Sequence, residues 1–291
     1  VLLAIDIGNT NIVVGVFADP TAAPADPPGV RTPGEVPGLL HHWRVATVLD
    51  RTPDEHALLL VALLSLVGLD LPGRATHDGG PHRSGEITGI AVSSSVPALT
   101  GVIRETTERY LPVPAVVVEA GIRTGMPIRY ENPREVGPDR IVNAVAALDF
   151  YGAPTIVVDL GTATTFDVIS ARGEYLGGAI VPGIEIALDA LTTRAAALRG
   201  VELAAPRSAI GRTTAESIQS GVVFGTAALV DGLCARIEAE LGAATIIATG
   251  GLGKIIVPYA ERITAYEPWL TLHGLRLLFA RNSPGDEAAD V

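Results

Sequence analysis

"VLLAIDIGNTNIVVGVF" (1–17) and "TIVVDLGTATTFDVIS" (155–170) follow one plan. In each, an apolar run ends in an aspartate, a polar turn containing glycine follows, and a second apolar run leaves the turn. Residues 2–6 and 12–17 read as two strands joined by Asp6-Ile7-Gly8-Asn9-Thr10-Asn11, and 155–170 reads as a strand, an Asp-Leu-Gly-Thr turn and a second strand. A strand–Asp-x-Gly-x-Thr–strand unit that occurs twice is an internal repeat. It predicts an α/β protein of two duplicated domains, with a cleft between them that each turn can face.

Working outward from the two units, the same order of elements recurs. After the first come a third strand over 39–47, a helix over 53–67 with Thr52 or Asp54 at its start, a strand over 87–93, a helix over 97–110 and a strand over 115–119. After the second come a third strand over 174–180, helices over 184–198 and 214–241, and a strand over 244–249 that runs into Gly250-Gly251. The glycines at 221 and 225 predict a bend or split in the long helix. An apolar helix over 141–150 joins the halves. The expected domains are 1–142 and 143–283, with 284–291 a disordered tail. Stretches 18–38 and 72–86 are rich in Pro and Gly, lack a period and read as loop insertions. His77 and His82 in the second have no carboxylate or cysteine at metal-ligand spacing and read as solvated loop residues.

The bulk numbers fit this plan. Over 291 residues, 48% are hydrophobic and 18% charged, a globular balance for one large or two medium domains. The net charge of −11, without a basic block, argues against a nucleic-acid surface or an anionic membrane. Backbone N–H groups can still bind anions without lysine. The single cysteine, Cys234, permits no intrachain disulfide and reads as a small apolar helix residue. Asp6 interrupts the first apolar run and no basic stretch precedes it, so a signal peptide is not expected. The longest apolar stretch, 57–69, is shorter than a membrane span. A soluble, cytoplasmic protein is expected.

The turns carry candidate chemistry. Gly8 permits close backbone approach to a ligand, and Asn9, Thr10 and Asn11 add donors that suit an anion nest. Asp6 would not hold a phosphate itself but can hold a hydrated Mg²⁺ that bridges phosphate oxygens. A plain hairpin with Asp6 and Asn9 capping the turn reads equally well from this segment alone. "DLGTATT" (159–165) repeats the logic with Asp159, Gly161, Thr162 and Thr164. "IIATGGLGK" (246–254) ends a strand in bare backbone that would suit adenosine; it is no Walker P-loop, and Lys254 reads as a solvated helix residue. "YENPREVGPDR" (130–140) sets Asp139 and Arg140 at a helix start. A cap position and the helix dipole would keep Asp139 ionised, as suits a base that accepts a hydroxyl proton. An ordinary Asp cap with an Arg salt bridge remains open at this point.

In order, these motifs resemble the actin-like ATPase superfamily of sugar kinases, Hsp70 and actin. That resemblance implies two ribonuclease-H-like domains with ATP in the interdomain cleft. "DIGNTN", "YENPREVGPDR", "VDLGTATTFD", "GEYLGGAIVPG", "GRTTAESIQSG" and "ATGG" together resemble the type III pantothenate kinase family over almost the whole chain. The resemblance implies phosphorylation of pantothenate by ATP, the first step toward coenzyme A. It implies that Asp6, Ile7, Gly8, Asn9, Thr10, Asn11, Ile12 and Val13 bind the ATP phosphates, with Mg²⁺ at Asp6, and that Thr162 touches ATP. It implies Asp159 as the site of the K⁺ or NH₄⁺ that the family requires, and Asp139 as catalytic base. Tyr130, Gly137, Pro138, Asp139 and Arg140 would contact pantothenate, and Thr214 would do so across a homodimer interface. Pro138 departs from the family's usual Gly-Ala-Asp-Arg, and a backbone bond there would be lost. Two rival expectations are a relative acting on a sugar or polyphosphate, and a non-catalytic regulator.

Overall fold

The computed structural model describes residues 1–18, 31–71, 86–194 and 201–283. The tail 284–291, most of both insertions with His77 and His82, and the end of the helix expected over 184–198 lie outside the described residues. The first half contains β1 (Leu2–Ile7), β2 (Asn11–Phe17), β3 (Leu39–Ala46), α1 (Pro53–Ser65), β4 (Gly89–Ser94), α2 (Pro97–Tyr110) and β5 (Ala115–Val117). α3 (Pro138–Tyr151) leads into the second half: β6 (Thr155–Leu160), β7 (Ala163–Ile169), β8 (Tyr175–Pro182), α4 (Ile184–Arg194), α5 (Thr214–Leu241), β9 (Thr245–Thr249), α6 (Gly253–Ile256), β10 (Ala265–Tyr266) and α7 (Leu270–Asn282). α1 begins at Thr52, whose hydroxyl accepts from Glu55 N–H while the Glu55 carboxylate accepts from Thr52 N–H; Pro53 then opens the helix.

The sheets are duplicates. The first runs β3-β2-β1-β4-β5 and the second β8-β7-β6-β9-β10. In both, the hairpin strands are antiparallel and the last two join in parallel, the ribonuclease-H-like arrangement. The match reaches single residues. Every residue of β1 is buried except Asp6, and every residue of β6 except Asp159. The register slips at the last residue of the second strand in both cases, at Phe17 and at Ile169.

One core cluster fills the space between the inner faces of the two sheets, through α3 and α7. α3 packs on β6, β7 and β4, and spans the expected boundary at 142/143. α7, late in the chain, returns to pack on β1, β4 and β2. The other face of the first sheet is covered by α1 and α2, and that of the second by α5. Cys234 is buried on α5, as a small apolar residue would be.

One expectation needs correction. α5 is one continuous 28-residue helix, with no split at Gly221 or Gly225. Its buried positions, including Val223, Ala227, Val230 and Cys234, pack on the second sheet, and this outweighs a propensity cost of about 1 kcal/mol per glycine. By length and composition alone α5 could also cross a membrane, with a mean hydropathy of 1.4. The described end of the first insertion is a loop, as expected. It is tied to the cleft wall, because Arg31 pairs with buried Glu267, next to Pro268 and Trp269.

Candidate active site

The two repeat turns meet across a cavity of about 340 Å³ between the sheets. In each the glycine N–H closes the turn: Gly8 donates to Asn11 O at 3.0 Å, and Gly161 to Ala163 O at 3.1 Å, the second turn being one residue shorter. Across the cleft, Thr10 Oγ1 lies 3.0 Å from Thr162 Oγ1. Of the predicted phosphate residues, Asp6, Gly8, Asn9, Thr10, Asn11 and Val13 line the cavity. Ile7 and Ile12 are core residues and offer only backbone. Thr162, Asp159 and Asp139 line the same cavity from the other side.

α3 delivers Asp139. Its N-cap is Gly137, with Pro138 as the first helical residue. An N–H at that position has no intrahelical partner, so Pro138 sacrifices no helix bond and presets φ. Asp139 therefore sits inside the first turn and is not the cap; its Oδ1 accepts from Arg140 N–H at 2.9 Å. The expectation that helix-end effects keep it ionised is also corrected. Burial pushes its carboxyl above the ordinary range, more than the Arg140 N–H and guanidinium pull it down.

The other carboxylates follow the same physics. Asp6 is pushed up to about 8, first by burial and then by the charges of Asp139 and Asp159. Ser93, opposite it on β4, offsets part of this, although its buried hydroxyl reaches no hydrogen-bond partner among the described residues. Asp159 rises to about 7, by burial and then by Asp139 and Asp167. It is restrained by Asn143, whose Nδ2 donates to Oδ2 at 3.0 Å. Buried carboxylates, with Asp139 raising both Asp6 and Asp159, call for cations. Among the described residues no cluster of three metal-ligating side chains forms. A lone carboxylate at each strand end thus fits a cation whose shell is completed by phosphate oxygens and water, and does not fit an all-protein cage.

The remaining predicted residues lie outside this cavity. Arg140 is buried and turned away: its Nε donates to Asp167 Oδ1 at 2.7 Å, and Tyr175 OH donates to the same oxygen at 2.8 Å. Tyr130 lies against Gly177 on β8, where a Cβ would come 2.9 Å from the ring. Thr214 starts α5 at the edge of a separate apolar groove, with Leu191, Val222 and Leu229.

Two polar residues escaped the sequence reading. Asn143, nearly inaccessible, holds Asp159 and accepts from Thr271 Oγ1 at 2.8 Å. The signal available was its place four residues after Asp139, on the same helical face, in an otherwise apolar run. Arg44 lines the cleft from β3, and nothing in "HHWRVA" marks it.

Two ribonuclease-H-like units closing on an acidic, turn-lined cleft define a protein of the actin-like ATPase and sugar-kinase class. The type III pantothenate kinase family model matches residues 2–236. Type III pantothenate kinases from Streptomyces griseus and Streptomyces avermitilis are 48% and 49% identical to it, each over 97% of this chain and 98% of the relative. The chain belongs to the type III pantothenate kinase family. Among solved structures, a Baf family transcriptional activator from Campylobacter jejuni has the same fold, at a TM-score of 0.53 and 18% identity over 96% of this chain and 98% of that one.

Proposed function

We propose that the protein transfers the γ-phosphoryl group of ATP to the primary hydroxyl of pantothenate, opening coenzyme A synthesis in the cytoplasm. The observation that carries the reading is the convergence of Asp139 with both Asp-x-Gly turns on one cavity. N–H groups and hydroxyls of 8–11 cradle the phosphates, and Thr10 and Thr162 close over them from either side. Asp139 accepts the proton of the attacking hydroxyl, and burial, by raising its carboxyl above the ordinary range, makes it a stronger base for that task. Phosphoryl transfer is mostly a matter of positioning and charge neutralisation. Asp6 and Asp159 are the residues that would hold Mg²⁺ and K⁺ or NH₄⁺, which supply positive charge for the phosphates. Arg140, locked to Asp167, fixes the helix start and so the direction of Asp139; Gly137, Pro138 and Tyr130 shape the acceptor side. The units are taken as 1–142 and 143–283, with α7 packed back on the first.

The groove at Thr214 is where a second copy would dock, giving a homodimer that buries Leu191 and Leu229, both exposed in the single chain. A coupled ADP-release assay with pantothenate, ATP and Mg²⁺, with and without K⁺, tests the reaction and the cation together. Turnover on a sugar but not on pantothenate, or no turnover at all, would sink the reading. Light scattering on Leu229→Asp tests the dimer: a wild type already monomeric removes it.

A further inference from the structure

We propose that Arg44 grips the phosphates of the nucleotide from the first half of the cleft, reaching across to the bare backbone of Gly251. The inference deepens the kinase reading above and rests on it.

Charge balance comes first. The cavity is lined by the carboxylates of Asp6, Asp139, Asp159 and Glu185, and among the described residues Arg44 is the one cationic side chain on its wall. Lys254, the sole lysine of the chain, does not line it. A polyphosphate entering four carboxylates needs compensation, and Arg44 is the protein's own source of it.

Placement follows from strand geometry. Arg44 pairs with Val13 in the β2–β3 ladder, next to the phosphate turn. Alternation puts it on the face of His42 and opposite to Trp43. His42 stacks on Trp269, a cleft residue, with ring centroids 3.9 Å apart, whereas Trp43 packs into the core under the first sheet. The face carrying residues 42 and 44 thus looks into the cleft.

Reach is shown by Gly251. A Cβ built on it would come 2.2 Å from Arg44 Nη1, so the guanidinium rests where any side chain at 251 would stand. The glycine leaves room for a cation of the opposite half beside the strand-end turn of β9.

Availability completes the case. Among the described residues the Arg44 side chain has no hydrogen bond and no ion pair within 4.0 Å, while its charge lowers the pKa of Asp6 and Asp159 from a distance. Arginine presents a planar fork of donors that fits phosphate oxygens in pairs. An exposed fork with every donor unused, facing a phosphate turn, is a ready phosphate ligand.

The test is calorimetric titration of the full chain with ATP·Mg²⁺, ADP·Mg²⁺ and adenosine, without pantothenate, alongside steady-state kinetics. Arg44→Ala should weaken ATP and ADP binding about tenfold or more and leave adenosine binding unchanged. The KM for ATP should rise with that loss while the KM for pantothenate stays. Arg44→Lys should recover part of the binding, because it keeps the charge and loses the fork. Gly251→Ala, which displaces the guanidinium without removing it, should fall between. ATP binding by Arg44→Ala within about twofold of wild type overturns the proposal. Equal losses for adenosine and ATP also overturn it, as the signature of a structural role. If Arg44→Ala does not fold, Arg44→Lys and Gly251→Ala decide by the same criteria. A wild type that binds ATP yet never phosphorylates pantothenate would sink the kinase reading and leave Arg44 standing.

Discussion

The two repeat units are alike in strand order, register, burial and bulge, and unlike in what surrounds their aspartates. Asp6 faces Ser93 across the parallel ladder, and Asp159 faces Thr249. Beyond these the first half continues as Ser94-Ser95 and the second as Gly250-Gly251. Ser94 closes a local turn, its hydroxyl donating to Val96 O and accepting from Val96 N–H. Gly250 has φ of +91°, and a Cβ there would lie 2.5 Å from both Asp159 Oδ1 and Leu160 O. Asp159 gains the amide donor of Asn143, whereas among the described residues Asp6 has the hydroxyl of Ser93 beside it. Duplication thus built a symmetric frame, while the proposed reaction needs an asymmetric site: bare backbone on one side, and on α3 the carboxylate of Asp139, proposed as the base.

Removing the unduplicated element should have the largest effect. Asp139→Asn should lower kcat by about 10²- to 10⁴-fold with ATP binding retained. Wild-type kcat in this variant would refute the base assignment. Next comes forcing the halves to match. Gly250→Ser should cost about 2 kcal/mol or more through backbone strain and the clash with Asp159. The reciprocal Ser94→Gly should cost about 1 kcal/mol. Urea denaturation compares them, and equal losses would mean that the glycine is not required.

The aspartates themselves differ in titration. Asp6 and Asp159 stand at about 8 and about 7, against an ordinary value of 3.8. Between 3.8 and those values the folded chain keeps protons that the unfolded chain has released, so ligand-free stability should fall as pH rises and level off above about 8. Asp6→Asn should flatten that fall more than Asp159→Asn. A Tm series from about pH 5 to 9 checks this, and identical slopes in wild type and both variants would contradict it. The smallest effect is expected where the repeats touch. Thr10→Ala and Thr162→Ala remove the same solvent-exposed hydrogen bond and should each cost under about 1 kcal/mol of stability. A double variant no worse than either single one would show that the pair acts as a unit.

Much of this was legible beforehand because it is local. Apolar runs ending in Asp-x-Gly-x-Thr specify strand and turn whatever surrounds them. Thr52 or Asp54 ahead of an apolar run marks a helix start, and the repeat of the pattern predicts a second sheet like the first. Asp6, Asp139 and Asp159 could be singled out because their residue types are anomalous at strand and helix ends. α5 was misread as broken because propensity alone omits the packing on the sheet that holds it straight. Asn143 and Arg44 stayed hidden because a polar residue on a helix or strand acquires meaning only from what the opposite half presents to it.

By itself the sequence determined two β-hairpin frames, their order and the acidic turns, since these depend on neighbours along the chain. Tertiary structure alone decided that α7 returns to the first sheet, that Arg140 turns to Asp167 and away from the cleft, and that burial raises the carboxyls of Asp6, Asp139 and Asp159 above the ordinary range. Those outcomes depend on burial and on charges brought together from distant segments, and a linear pattern carries neither.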